Sequence, residues 1–208
     1  MGRRSLTVGL IIMLGSAAPA VGQAEKEGAN PPTSPGQPQA SVAQQREELL
    51  DRLFGRLKTA KNEQEAQIVE QSIWRLWMRS GRPTDDILLE QATKSMQARQ
   101  YDKALDILDA IIEHSPDFME AWNKRATVNY IVGRLEQSLS DIDRVLALEP
   151  RHFGALSGLG MIRRDKGDQR GALTAFREAL AINPFMPSVQ EAVKSLEKDL
   201  ANPGVSLA

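Results

Sequence analysis

Pro116, Pro150 and Pro184 stand 34 residues apart, and each closes a similar phrase: Ile111 to Pro116, Val145 to Pro150 and Ala179 to Pro184. A fixed period of this length confines a chain to architectures in which copies stack, because one copy alone cannot bury its apolar face. Counting back from the prolines defines three units, 85–118, 119–152 and 153–186. Small residues recur at the eighth position (Ala92, Ala126, Gly160) and the twentieth (Ala104, Ser138, Ala172), where two helices must approach closely. Large apolar side chains recur at the fourth (Leu88, Trp122, Leu156) and twenty-fourth (Leu108, Ile142, Phe176), where they fill the space between helices. Apolar spacings of three and four, as in Leu105, Leu108, Ile111 and Ile112, predict amphipathic helices in both halves of each unit. Gly133 and Gly167, at the fifteenth position, predict a left-handed residue that ends the first helix. The proline then stops the second, since it cannot donate into the helical ladder.

This pattern resembles the tetratricopeptide repeat: Trp122, Leu159 with Gly160, Ala104, Ala172, Phe176 and the three prolines occupy its positions across residues 85–186. The pattern tyrosine is replaced by Ser95, Asn129 and Arg163. The resemblance implies an all-α, right-handed superhelical solenoid of antiparallel helix pairs whose first helices line a concave groove. Helical spacing brings positions two, five, nine and twelve to that face, among them Leu89, Thr93, Met96, Asn123, Thr127, Tyr130, Ser157, Met161 and Arg164, with Gln97 and Lys124 beside them. Asn123 and Thr127 are expected to hydrogen-bond a peptide backbone, Tyr130 to stack or bond, Lys124 and Arg164 to meet an acidic group, and the methionines to adapt to apolar side chains. The candidate protein-binding set is therefore Thr93, Gln97, Asn123, Lys124, Thr127, Tyr130, Ser157 and Arg164. Relatives that clamp the terminal carboxylates of chaperones use lysines and asparagines at set groove positions; here those places hold Leu89, Thr93, Lys124, Gly154 and Gly158, so that clamp is not expected. The phrase Leu148 to Leu156 also resembles one in exported bacterial proteins of this type.

The flanks are read as supports. Leu49, Leu50, Leu53, Phe54 and Leu57 form one stripe, and Ala66, Val69, Ile73, Leu76 and Trp77 another, predicting a helical hairpin over 43–80 that packs on the first repeat. Asn62 with Glu65 predicts the start of its second helix, and Trp74 and Trp77 are expected in the core. A capping helix is expected over 187–200, opened by a Ser188–Glu191 box, with a flexible tail over 201–208. Residues 25–42, rich in proline, read as a disordered linker. Arg3 and Arg4, the apolar run Leu6 to Leu14 and the small residues Ala17 to Ala24 read as a signal peptide over 1–24, so that the mature chain is expected to be periplasmic or secreted, without stable membrane insertion.

Composition narrows the chemistry. The 26 Lys plus Arg and 27 Asp plus Glu lack the basic excess that phosphate backbones demand, so nucleic acid is not an expected partner. Cysteine is absent, which removes disulfides and thiolate chemistry. The only histidines, His114 and His152, lack metal-site spacing, and Gly154, Gly158 and Gly160 read as close-packing residues rather than a phosphate loop. Asp141 and Asp143 are expected on a solvated helix face. No catalytic, metal or cofactor site emerges, and a protein or peptide partner is expected. The alternatives are a self-assembling component of an envelope complex, hence a homo-oligomer, and an unrecognised envelope hydrolase.

Overall fold

The computed structural model describes residues 41–201, and among these all regular structure is helical. Two helices, α1 (Val42–Lys58) and α2 (Glu63–Trp77), form a hairpin. Three antiparallel pairs follow: α3 (Pro83–Gln97) with α4 (Tyr101–His114), α5 (Met119–Ile131) with α6 (Leu135–Leu148), and α7 (Phe153–Asp165) with α8 (Gln169–Ile182). Helix α9 (Pro187–Ala201) packs on α8. Each pair stacks on the next through α4 on α5 and α6 on α7, as a repeat solenoid requires. The expected signal peptide, most of the expected linker and nearly all of the expected tail lie outside the described residues.

Local chemistry sets the helix ends. The Ser41 side chain accepts from the Gln44 amide while Gln44 returns the bond, closing a capping box ahead of α1, and Asn62 accepts from the Glu65 amide ahead of α2. Gly133 and Gly167 carry φ of 79° and 82°, and Arg99, at the same place in the first unit, is forced to φ 58°. Helix α9 begins at Pro187, which places Ser188 inside the first turn rather than at the cap. The expected box there is replaced by a proline start, compatible with the orphan amide of a first turn.

Close packing explains Gly154 and Gly160 of α7 but not Gly158, where a Cβ would meet only Ile142 at 3.4 Å. A Cβ on Gly160 would lie 2.5 Å from the Phe176 ring, and one on Gly154 would lie 2.9 Å from Trp74. The sites of the pattern tyrosine are filled differently in each unit. Ser95 and Asn129 are buried, with Asn129 donating to Asp141, while Arg163 reaches the Gly171 carbonyl. Asp141 is therefore not on a solvated face. It is buried, holds Arg125 through two hydrogen bonds of 2.6 and 3.0 Å and takes the Asn129 amide, whereas Asp143 is exposed. A paired guanidinium and an amide make that burial tolerable.

The hairpin does not lie where its sequence position suggests. Its apolar stripe, including Leu50, Leu53, Phe54, Ile73 and Trp77, joins a core with Phe153, Leu156, Phe176 and Val189, and α1 packs on α8. The first repeat has its own core around Leu89, Leu108 and Ile111. The hairpin thus folds back across the junction of the second and third repeats, because the aromatic surface matching Trp74 and Trp77 lies there.

Candidate binding groove and the hairpin node

The candidate groove residues rise from the first helix of each pair. Thr93 on α3 is half-buried and its hydroxyl donates to the Leu89 carbonyl at 2.8 Å; Thr127 on α5 does the same to Asn123 at 2.9 Å. Each hydroxyl thus donates its hydrogen within its own helix. Gln97 is exposed at the end of α3, and Ser157 and Arg164 are half-buried on α7. The Tyr130 hydroxyl donates to Asp165 at 2.6 Å, bridging the second and third repeats; burial, then this carboxylate, push its pKa up to about 12. Lys124, half-buried on α5, lies close enough for its charge to act on Glu120. The eight residues therefore lie on three consecutive first helices, with Met96 and Met161 half-buried among the same helices.

Leu89 is a correction. At 1% exposure it lies in the core with Leu108, Ala121 and Val128, and cannot contact a partner. Position five therefore faces the core in the first unit.

Sequence reasoning missed a polar node that reaches Asn123 of the candidate groove. Asn123 donates its Nδ2 to Glu120 Oε2 at 3.0 Å. Glu120 Oε1 meets His152 Nε2 at 2.9 Å, with both side chains wholly buried. His152 Nδ1 accepts the Ala155 amide at 3.0 Å and so caps α7. An amide can only donate, so Nδ1 is unprotonated and Nε2 carries the hydrogen given to Glu120. Burial pushes the Glu120 carboxyl up, but the His152 hydrogen bond, the Lys124 charge and the Asn123 amide hold it below its ordinary range.

The hairpin closes this node from outside. Trp77 stacks on His152 at 4.3 Å with the rings 9° from parallel, and Trp74 meets Phe153 edge-on at 5.6 Å. Arg151 lies over Phe54 at 4.5 Å, grips Glu149, and reaches Glu47 and Asp51 on α1. Asn183 donates to Glu70 on α2 at 3.0 Å. The phrase Leu148 to Leu156, singled out in the sequence, is thus the receptor for the hairpin: Arg151 holds α1, His152 and Phe153 hold α2, and Gly154 makes room for Trp74.

Among the described residues no group of side chains has a metal-binding arrangement, and no helix is long and apolar enough to cross a membrane. The tetratricopeptide-repeat model matches residues 130–187. A TPR repeat-containing protein of Rhizobium etli is 37% identical over 163 residues, covering 78% of this chain and 80% of the relative. The TPR domain of Sgt2 from Aspergillus fumigatus superposes with a TM-score of 0.56 at 20% identity, covering 61% of this chain and 85% of that one. The first TPR domain of Spaghetti (RPAP3), solved with the HSP90 peptide SRMEEVD, gives 0.54 at 20% identity, covering 56% and 93%. These solved structures share the fold. With the repeat period, the stacked helix pairs and the Rhizobium relative in agreement, the chain belongs to the tetratricopeptide-repeat family.

Proposed function

We propose that this chain is an exported, periplasmic scaffold that holds a polypeptide segment against the face formed by α3, α5 and α7, without catalysing a reaction. The observation that carries the reading is the row of half-buried polar side chains on consecutive first helices, flanked by Met96 and Met161 and by the cationic Lys124 and Arg164. Asn123 Oδ1 and the threonine hydroxyls suit the backbone of an extended segment, and the two cations favour an acidic side chain on it. The fold shared with the RPAP3 domain that binds an HSP90 peptide supports a peptide ligand. A terminal carboxylate is not the recognised group, since Gly154 and Gly158 offer no donor side chain where a clamp would need one. Export rests on Arg3, Arg4 and the apolar run that follows.

The test is capture of partners from an envelope extract by the mature chain. Replacing Asn123, Lys124 and Thr127 with alanine and Tyr130 with phenylalanine should remove the captured species while circular dichroism stays unchanged. Equal capture by this variant and by the native chain would move the site elsewhere. Amino-terminal sequencing of the protein recovered from the periplasm checks export, which a chain retained in the cytosol with its leader intact would refute.

A further inference from the structure

The hairpin and the groove are physically connected. Trp77 stacks on His152, His152 bonds one oxygen of Glu120, and the other oxygen holds the amide of Asn123, a residue of the candidate groove. Every link is a direct contact, and the Glu120–His152 pair is sealed from water. The hairpin itself is attached differently from the repeats. Its only covalent tether to them is the segment 78–82, in which Gly81 takes φ 82°, and neither α1 nor α2 forms a substantial face with α3 or α4. Its rim is polar, made by Arg151 with Glu47 and Asp51 and by Asn183 with Glu70. One feature of the docked state opposes docking: Trp77 Nε1 is buried without a hydrogen-bond partner among the described residues, a donor that water would satisfy on release.

We propose that the amino-terminal hairpin is a releasable brace that regulates the groove: docked on Arg151, His152 and Phe153, it fixes Asn123 through His152 and Glu120, and its release frees the Asn123 carboxamide and loosens the groove. The inference rests on the groove reading above for its consequence, although the coupling itself exists with or without a ligand. In the docked state Asn123 spends Nδ2 on Glu120 and presents Oδ1 in one orientation, so an incoming backbone amide meets a preorganised acceptor. On release, His152 loses the Trp77 face, water reaches the Glu120 carboxylate, and Asn123 loses its anchor. The docked and released hairpin supply the two states that coupling between sites requires.

The experiment uses the chain in a Trp122→Phe background, in which Trp74 and Trp77 are the remaining tryptophans and report docking by their fluorescence. Trp77→Ala removes the stack, and Arg151→Glu turns the ion pairs with Glu47 and Asp51 into repulsions. The readout is the side-chain amide signal of Asn123 in a nitrogen–proton correlation spectrum, assigned by its loss in Asn123→Asp, with the exposed Gln97 as control. Both releasing variants should shift the tryptophan emission or abolish the stack while retaining helical content. In both, the Asn123 amide should move and exchange with solvent roughly tenfold faster, with Gln97 unchanged. An Asn123 signal that stays put while the hairpin is released would overturn the coupling. So would loss of helical content in step with hairpin release, since the hairpin would then be indivisible core. Neither result depends on partner capture, so failure of the groove reading would be seen separately.

Discussion

Arg99 is the one non-glycine residue among those described with positive φ, at 58°, and it occupies the place of Gly133 and Gly167. A Cβ in that conformation crowds the neighbouring carbonyl, so Arg99→Gly should stabilise the chain by about 1 kcal/mol. Denaturant midpoints check this; an unchanged or lower midpoint counts against it. Glu120 makes a second residue-scale prediction. Its folded pKa lies below the ordinary value, so its stabilising contribution is complete above the unfolded pKa and is lost as pH falls through the folded one. Glu120→Gln should therefore destabilise the chain at neutral pH, and its deficit relative to the native chain should shrink below about pH 4. Equal deficits at pH 7 and pH 3 would refute the assignment of Glu120 as a buried carboxylate.

Within α7, two glycines two residues apart should respond in opposite ways. A Cβ on Gly160 would sit 2.5 Å from the Phe176 ring, which is itself locked in the core, so Gly160→Ala should cost about 1–3 kcal/mol through overpacking. Gly158 meets only the tip of Ile142 at 3.4 Å, so Gly158→Ala should raise stability by about 0.5–1 kcal/mol, the usual gain in a helix interior. Thermal unfolding of the pair gives the comparison, and the same sign for both would show that α7 is not seated as described. The hairpin is an element of another kind. Its amphipathic stripes were legible at their period, but the surface they bury was not. Nothing in a spacing of three and four says whether Trp77 meets the adjoining repeat or one about 75 residues further on.

A solenoid in which each repeat touches only its neighbours loses stability from the end that is cut. This chain should behave otherwise, because the hairpin at its amino end braces the third repeat and joins a core that includes α9. Removing residues 41–80 should lower hydrogen-exchange protection in α7, α8 and α9 without unwinding them, while α3 and α4, which have a separate core, retain more of theirs. Loss concentrated in α3 and α4 would restore the nearest-neighbour picture. The fold-back also changes what the groove is, because Trp74 occupies the space beside Gly154.

The amino-acid sequence alone determined the repeat period, the helix pairs and the close-packed Gly154 and Gly160. Those features follow from local geometry and from short-range periodicity, which each 34-residue unit carries within itself. Tertiary structure alone decided that Asp141 and Glu120 are buried, that Leu89 lies in the core, and that His152 joins the hairpin to Asn123. A charged side chain reads as solvated until a partner from another helix satisfies it, and such partners are chosen by packing across long separations.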